Sequence, residues 1–319
     1  MKNILYIKDI MMKTKAYIIA SLVSVALFTA CEKSELPDRT KVADGARICF
    51  FNLSADVTTT GTVMTNELNL YFNDARVTTQ QSTVKNRLRG IPYRSSYPGV
   101  VTAAPAVATA PTSYPGGEYF IAEPGQTNIV AKDTALKAGQ TTLFTTDFNF
   151  QKDKYYSIFA MDLRPAMAPV IVEDNIVPFN TLKKVKIRAV NGLYGVARAK
   201  VDIWIIHQPG TTSQAIPPYK LALGLDYKTV TAFSDTITAG SYKWTVTIAG
   251  AAPTITAPTA PTAGKPYTLS FTAANVLVAQ ASAGTTFAER TTYSFLVFGQ
   301  FGKTGVIAPF GNLFRNRWL

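Results

Sequence analysis

Short runs in which apolar and polar residues alternate recur along the chain from residue 46 and predict β-strands. Residues 46–53 (ARICFFNL), 66–72 (NELNLYF) and 155–162 (YYSIFAMD) have this character, and the Asn73-Asp74 pair that follows the second run is typical of a turn. Only 16% of the residues are charged, and plentiful Thr, Ala and Val favour strands over surface helices. Strands with a strongly apolar face need a facing sheet, so the pattern predicts an all-β fold of stacked sheets.

The strand pattern restarts near residue 183 and predicts a tandem duplication. Residues 186–191 (KIRAVN) repeat residues 47–52 (RICFFN), and residues 293–296 (YSFL) repeat residues 156–159 (YSIF). The repeated motifs keep their order while the segments between them vary, as expected when strands are kept and loops change. The predicted β-sandwich modules are residues 45–180 and 181–319.

Residues 77–117 of the first module are predicted to form a long, irregular loop. The segment is basic and contains no acidic residue. Arginine forks suit carboxylate, sulfate or phosphate groups, and tyrosine faces stack on sugar rings or cations. We predict that this loop contacts an anionic or saccharide ligand; the alternative is a solvated surface loop. The predicted ligand-binding residues are Arg87, Arg89, Tyr93, Arg94 and Tyr97.

Short motifs of the second module resemble the DUF4397 family. They are Ala189-Val190-Asn191, Val201-Asp202-Ile203-Trp204, Ala239-Gly240-Ser241-Tyr242 and residues 293–297 (YSFLV). The first module departs from the pattern at Asn69, where the family motif has Asp, and its Gly117-Glu118-Tyr119 is matched with Gly240-Ser241-Tyr242. The resemblance extends from residue 45 to the C-terminus. It implies Ig-like or transthyretin-like sandwiches in secreted and lipid-anchored bacterial proteins, and it supplies no catalytic residue.

The N-terminal region resembles a bacterial lipoprotein signal. Lys13 and Lys15 precede an apolar stretch, residues 16–30, that is too short for an ordinary membrane span and ends in small residues before Cys31. The position three before Cys31 is Phe28 rather than the usual Leu. We predict a signal peptide, a lipid on Cys31, a flexible tether and an outer-membrane location on either the surface or the periplasmic face. The segments are residues 1–30 and 31–44, and the candidate start codons are Met1, Met11 and Met12.

Few residues suit catalysis or metal binding. His207 is the only histidine and ends a predicted strand, where a surface residue is more common than a general base. Cys49, the one thiol besides Cys31, lies in an apolar run and is typical of a core residue. The acids Asp147 and Asp162 are predicted in or near turns. No zinc, calcium or phosphate-binding motif occurs, so we expect no enzyme activity, no metal and no cofactor.

The net charge of +12 is scattered along the chain. An exported protein rarely meets nucleic acid, so we predict no nucleic-acid partner. The predicted partners are the membrane, through the lipid on Cys31, and a glycan or an envelope protein. The predicted role is ligand (glycan) binding, adhesion or assembly by non-catalytic modules. Two alternatives stay open: a polysaccharide-acting hydrolase that uses acids such as Asp147 and Asp162, and a structural subunit of a fimbria-like assembly.

Overall fold

The computed structural model describes most of the chain beyond residue 44. The described residues are 45–54, 67–78, 90–91, 93–97, 119–133, 141–176, 183–195, 200–210, 216–258, 264–280, 285–303 and 308–318. They belong to one compact unit, Gly45–Leu319. Within these ranges no helix is long and apolar enough to cross a membrane. Cys31, the predicted signal peptide, the predicted tether, Arg87 and Arg89 lie outside them.

The described part of the first module folds into two sheets. The inner sheet 1 has the strand order β4-β1-β8-β9, with β5 also pairing along β1, and the outer sheet 1 has the order β3-β2-β6-β7. The strands are β1 Ala46–Asn52, β2 Leu68–Phe72, β3 Ala75–Arg76, β4 Ser95–Tyr97, β5 Phe120–Ala122, β6 Gly125–Asp133, β7 Thr142–Phe150, β8 Tyr155–Met161 and β9 Ala168–Glu173.

The second module is built in the same way. Its inner sheet 2 has the order β13-β10-β19-β20, and its outer sheet 2 has the order β12-β11-β14-β17, with β18 also pairing with β14. A β15–β16 hairpin and a short 3-10 turn at Ala273–Asn275 complete the described part. The all-β prediction is confirmed. The strands are β10 Lys184–Tyr194, β11 Val201–Gln208, β12 Tyr219–Leu225, β13 Ser234–Thr238, β14 Gly240–Ile248, β15 Thr254–Thr256, β16 Thr268–Ser270, β17 Val276–Ala279, β18 Thr285–Phe287, β19 Thr291–Gln300 and β20 Phe310–Trp318.

The repeated sequence motifs occupy equivalent positions in the two modules. In each module the first strand runs parallel to a late strand, β1 beside β8 and β10 beside β19. Ile48 lies beside Tyr156 in the first pair, and Ile187 lies beside Tyr293 in the second. The hydroxyl of each of these tyrosines accepts a hydrogen bond from the backbone N–H five residues earlier. The two halves therefore share their strand register as well as their motifs.

Equivalent asparagines in β1 and β10 hold a distant segment of each module. The side-chain amide of Asn52 donates to the carbonyl of Ile91 at 2.8 Å, and that of Asn191 donates to the carbonyl of Leu225 at 2.9 Å. Each carboxamide oxygen also accepts the backbone N–H two residues later. Both asparagines are buried, and buried polar groups need such partners. The repeated Asn therefore ties each first strand to a segment that lies 39 or 34 residues later in the chain.

Asp202, which lies in one of the motifs that resemble DUF4397, holds the edge strand β12 in place. Its buried carboxylate accepts from Lys220 Nζ at 3.0 Å and from the backbone N–H of Gly224 at 2.7 Å, both in β12. In the first module Asn69 Oδ1 accepts from Arg76 of β3 at 2.7 Å. The first module thus uses a neutral acceptor where the second uses a charged one. The motif has a structural role in both.

Successive side chains of a strand point to opposite faces, and on β1 both faces are buried. Ile48 and Phe50 enter the core between the two sheets of the first module. Cys49 and Phe51 point the other way, into a cluster that includes residues of the second module. We call this cluster the junction core; it consists of Cys49, Phe51, Leu53, Tyr93, Phe159, Met161, Val190, Leu296, Phe298 and Phe314.

The junction core places the two inner sheets against each other. On β19, Phe295 and Val297 enter the core of the second module, while Leu296 and Phe298 enter the junction core. The layers therefore follow the order outer sheet 1, inner sheet 1, inner sheet 2, outer sheet 2. Two sandwiches that each bury one sheet against the other pack as a pseudo-dimer within a single chain.

Two details predicted from the sequence are wrong. Residues 77–117 are not a loop throughout, because Ser95–Tyr97 forms β4 and pairs with the end of β1. The strand that begins at Gly240, β14, pairs with β11. The strand equivalent to β11 in the first module is β2, and β2 pairs with β6, which begins at Gly125. The counterpart of β14 is therefore β6. The match to Gly117 relied on a local Gly-x-Tyr likeness, whereas long-range pairing decides which strands are equivalent.

Candidate functional site at the junction of the modules

Tyr93 and Arg94, which were predicted to contact a ligand, are buried at the junction. Tyr93 packs edge-on against Phe298 of the second module, with ring centroids 5.9 Å apart. The guanidinium of Arg94 lies 4.3 Å from the ring centroid of Phe310, a cation–π contact. In this structure both residues therefore pack one module against the other. The side chains of the remaining predicted residues lie outside the described part and stay predictions: Arg87, Arg89 and Tyr97.

A buried ion pair joins the two inner sheets. Arg188 of β10 is hydrogen-bonded to Asp174, which follows β9, and the two side chains are 2% and 0% exposed. Arg188 also donates to the hydroxyls of Ser157, at 2.6 Å, and Ser294, at 2.7 Å. Asp174 accepts in turn from Ser157 and from Tyr119, each at 2.6 Å. The network contains one cation and one carboxylate and connects residues of both modules.

The serines of this network are equivalent in the repeat, because Ser157 lies beside Cys49 and Ser294 lies beside Arg188. Cys49 and Arg188 are therefore equivalent positions with very different side chains. Burial raises the pKa of the Cys49 thiol, and the nearby carboxylate of Asp174 raises it further. The neutral thiol of Cys49 adds no charge in the first module, so Arg188 of the second module is the single cation of the network. The carboxylate of Asp174 balances it.

Each module extends an aromatic–cation pair toward the other. The backbone N–H of Arg94 donates to the carbonyl of Asn52 at 2.9 Å, and that of Lys228 donates to the carbonyl of Asn191 at 2.7 Å. Both cationic residues have positive φ, 67° and 63°, which is uncommon outside glycine. Tyr93-Arg94 and Tyr227-Lys228 are thus equivalent turns. In a self-complementary interface both partners contribute the same surface patch. Here each module contributes the equivalent turn.

A groove of about 690 Å³ opens beside the second of these turns. Its wall combines the segment after β8 in the first module with the end of β10 and the segment after β12 in the second. The volume is within the range usual for small-molecule sites, roughly 300–1,000 Å³. The polar and aromatic residues of the wall are Asp162, Arg164, Tyr194, Asp226, Tyr227 and Lys228.

Contacts between the modules form the floor of the groove. Asp162 of the first module accepts a hydrogen bond from the hydroxyl of Tyr227 and pairs with Lys228 Nζ at 2.5 Å. Burial raises the pKa of Tyr227, and its hydrogen bond to Asp162 raises it further. The phenol is therefore a donor at neutral pH. Tyr194 packs against Tyr227 with ring centroids 6.1 Å apart and is 38% exposed.

The acids suggested for a hydrolase have separate surroundings. Asp147 was predicted in or near a turn but lies within β7 of the outer sheet 1, where it accepts from Asn128 at 2.7 Å. Asp162 follows β8 of the inner sheet 1 and is engaged by Tyr227 and Lys228. Among the described residues, no three His, Cys, Asp or Glu side chains form a group suited to a metal ion.

His207 is buried, so the prediction of a surface histidine is wrong. It is the last residue of β11 whose side chain points toward the core of the module. It is 9% exposed and packs against Tyr242, with ring centroids 5.1 Å apart. The neighbouring strand begins at Gly240, where a Cβ atom would lie 3.3 Å from His207 Nε2. Glycine therefore leaves room for the ring. His207 Nδ1 has no hydrogen-bond partner among the described residues, and burial lowers the pKa of the imidazole.

This burial predicts a pH dependence of stability. Because the folded pKa of His207 is lowered, the unfolded chain binds the proton more readily, and stability is lost as the pH falls through the unfolded value of about 6.5. Urea unfolding at pH 7.5 and pH 5 should show this loss, and His207→Gln should lose less over the same range. An equal loss in both proteins would contradict the assignment.

Comparisons with known proteins identify no family. No family model matches the chain, and no curated protein matches it. A solved structure described as a putative cell adhesion protein from Bacteroides uniformis matches with 11% sequence identity and a TM-score of 0.18, over 86% of this chain and 98% of that one. The resemblance to DUF4397 stays a prediction from the motifs.

Proposed function

We propose that this protein is a lipid-anchored binding protein of the bacterial outer membrane that acts without catalysis in adhesion or ligand capture. The groove between the modules is the observation that carries the proposal. Both modules contribute to its wall, and the Asp162 contacts to Tyr227 and Lys228 hold the two contributions together. Binding sites on rigid elements are more exact than sites on isolated loops.

The layered fold supports this role. Loops carried by a rigid scaffold are common locations for binding residues. Asp162 directly follows β8, Tyr194 ends β10, and Asp226 directly follows β12. These positions are set by the strands, which the junction core and the Arg188 network hold in place. A two-module body of this kind presents one defined surface to a ligand.

The anchor is tested by metabolic labelling with an alkyne analogue of palmitate. The wild-type protein should carry the label and sediment with the outer membrane. Cys31→Ala should lose the label and leave the membrane fraction. Equal labelling of the two proteins, or a membrane location that does not depend on Cys31, would refute the lipid anchor.

The binding role is tested separately with the folded body. Fluorescent beads that carry residues 32–319 should adhere to surfaces coated with polysaccharides or with purified envelope proteins, and beads that carry serum albumin should not. Adhesion at the albumin level on every surface would refute the binding role. The lipid anchor would be unaffected by that result, because the bead attachment replaces it.

The fimbria-like alternative is supported by one edge of the fold. The nine-residue strand β7 ends the outer sheet 1 and pairs regularly with β6 along most of its length. Within the described residues no strand pairs with its other edge, and exposed edges can accept a strand from another chain. Analytical ultracentrifugation at increasing concentration should reveal polymers if this alternative holds, and a strict monomer would exclude it.

A further inference from the structure

The two equivalent turns at the junction have different surroundings. Around Tyr93 and Arg94 the space is filled, since Arg94 lies over the rings of Phe298 and Phe310. Around Tyr227 and Lys228 the groove is open. The backbone of the two turns is the same, so the difference comes from the side chains opposite them.

Strand pairing identifies those opposing side chains. Phe298 of β19 lies beside Phe310 of β20, and Met161 of β8 lies beside Ala168 of β9. Because β8 and β19 are equivalent, Met161 and Ala168 occupy the positions that two phenylalanines fill on the other side. An alanine in place of a phenylalanine removes a whole ring. One half of the pseudo-symmetric interface therefore lacks, near the groove, the aromatic pair that the other half has.

The charges around the groove are largely balanced by one another. Asp162 pairs with Lys228 at 2.5 Å, and Asp226 pairs with Lys200 at 3.1 Å. Arg164 lies 3.2 Å from Asp133. A highly charged ligand would have to displace these partners. A neutral ligand with many hydroxyls would not, because each hydroxyl can both donate to a carboxylate and accept from an ammonium group.

An aromatic surface lies beside these polar groups. Tyr194 is 38% exposed and is one of the few large apolar side chains with that much exposure among the described residues. Its contact with Tyr227 is nearly perpendicular, at 75°, so the Tyr227 ring does not stack flat on the Tyr194 ring. Sites for small molecules typically combine such apolar surface with a few fixed polar groups.

We infer that the groove binds neutral saccharide rings, with a ring stacked on Tyr194 and its hydroxyls bonded to the Asp162–Lys228 pair and to Asp226. This inference rests on the proposed binding role and gives it a ligand class and a location. The location differs from the basic loop that the sequence suggested. The sequence left an anionic or a saccharide ligand open, and the balanced charges favour a neutral glycan over a sulfated or sialylated one.

The test uses calorimetry with neutral hexasaccharides, namely cellohexaose, maltohexaose, mannohexaose and xylohexaose, and with heparin hexasaccharide as the charged comparison. At least one neutral probe should bind, and Tyr194→Ala should weaken it by about tenfold or more. Tyr194→Phe should keep the binding, because the ring is retained. Tyr267→Ala serves as the matched control, since it removes a partly exposed tyrosine next to the outer hairpin of the second module, and it should have no effect.

A second variant tests the location without removing Tyr194. Ala166→Phe adds an aromatic ring at an exposed residue of the groove wall and should abolish binding of the neutral probe, while circular dichroism shows the native fold. Binding that survives either Tyr194→Ala or Ala166→Phe would overturn the inference, as would binding of heparin hexasaccharide alone or of no probe. Beads that still adhere to a surface in those cases would show that the proposed binding role survives while the saccharide site does not.

Discussion

Replacing Arg188 by Met should lower the free energy of unfolding by about 3–5 kcal/mol, because it leaves the Asp174 carboxylate buried without its cation. The side chain of Asp174 is fully buried, so water cannot replace the lost partner. Ser157 and Tyr119 still donate to the carboxylate, but neutral donors offset only part of the charge. Urea denaturation of the wild-type and variant proteins measures the difference.

Two further proteins identify the cause of this loss. Arg188→Met combined with Asp174→Leu removes both charges and should recover much of the stability, since buried pairs often exchange for apolar residues at little cost. Lys154→Met breaks an exposed pair with Glu173, the residue next to Asp174, and should have little effect. A loss for Lys154→Met similar to that for Arg188→Met would refute the buried-charge explanation.

Replacing Phe51 by Ala should also cost about 3–5 kcal/mol, the usual range for a buried phenylalanine. Phe51 stacks on Phe159 with ring centroids 4.8 Å apart and packs edge-on against Phe314 of the second module at 5.3 Å. Removing its ring leaves a cavity between the inner sheets. Chemical denaturation reports the loss of stability.

The matched control for this prediction is Leu223→Ala. Leu223 is 69% exposed on β12, so its truncation removes little buried surface and should change stability by less than about 0.5 kcal/mol. If Phe51→Ala were as mild as Leu223→Ala, the junction core would not contribute to stability as the packing indicates.

The sequence predicts the local elements well because they depend on local chemistry. Alternation and β-branched residues identify the strands, and the repeated Asn52 and Asn191 mark equivalent positions, which the structure confirms. Only Asn52 ends its strand, because β10 continues to Tyr194. The stacking of the sheets has a second indicator besides the alternation of apolar and polar residues. In ARICFFN and TTYSFLVFGQ both faces of the strand are buried, and a strand buried on both sides needs a layer on each.

The candidate site was harder to predict because it depends on contacts between distant segments. Arg94 lies in a basic stretch that suggests a ligand, yet Phe310, more than two hundred positions later in the chain, covers its guanidinium. The groove, conversely, has a wall that combines Asp162 of the first module with Tyr194 and Tyr227 of the second. Neither fact follows from composition or spacing, since each depends on which strands pair and which sheets stack.

The most direct test of the central claim, that the two inner sheets are packed against each other, is the labelling rate of Cys49 by a thiol reagent. In a Cys31→Ser protein Cys49 is the only thiol; it has no exposed surface and lies in the junction core. We predict that labelling requires unfolding, so that its dependence on urea gives the same free energy as the fluorescence of the three tryptophans, Trp204, Trp244 and Trp318. Rapid labelling of Cys49 in the absence of urea, while the tryptophan fluorescence stays native, would contradict the account.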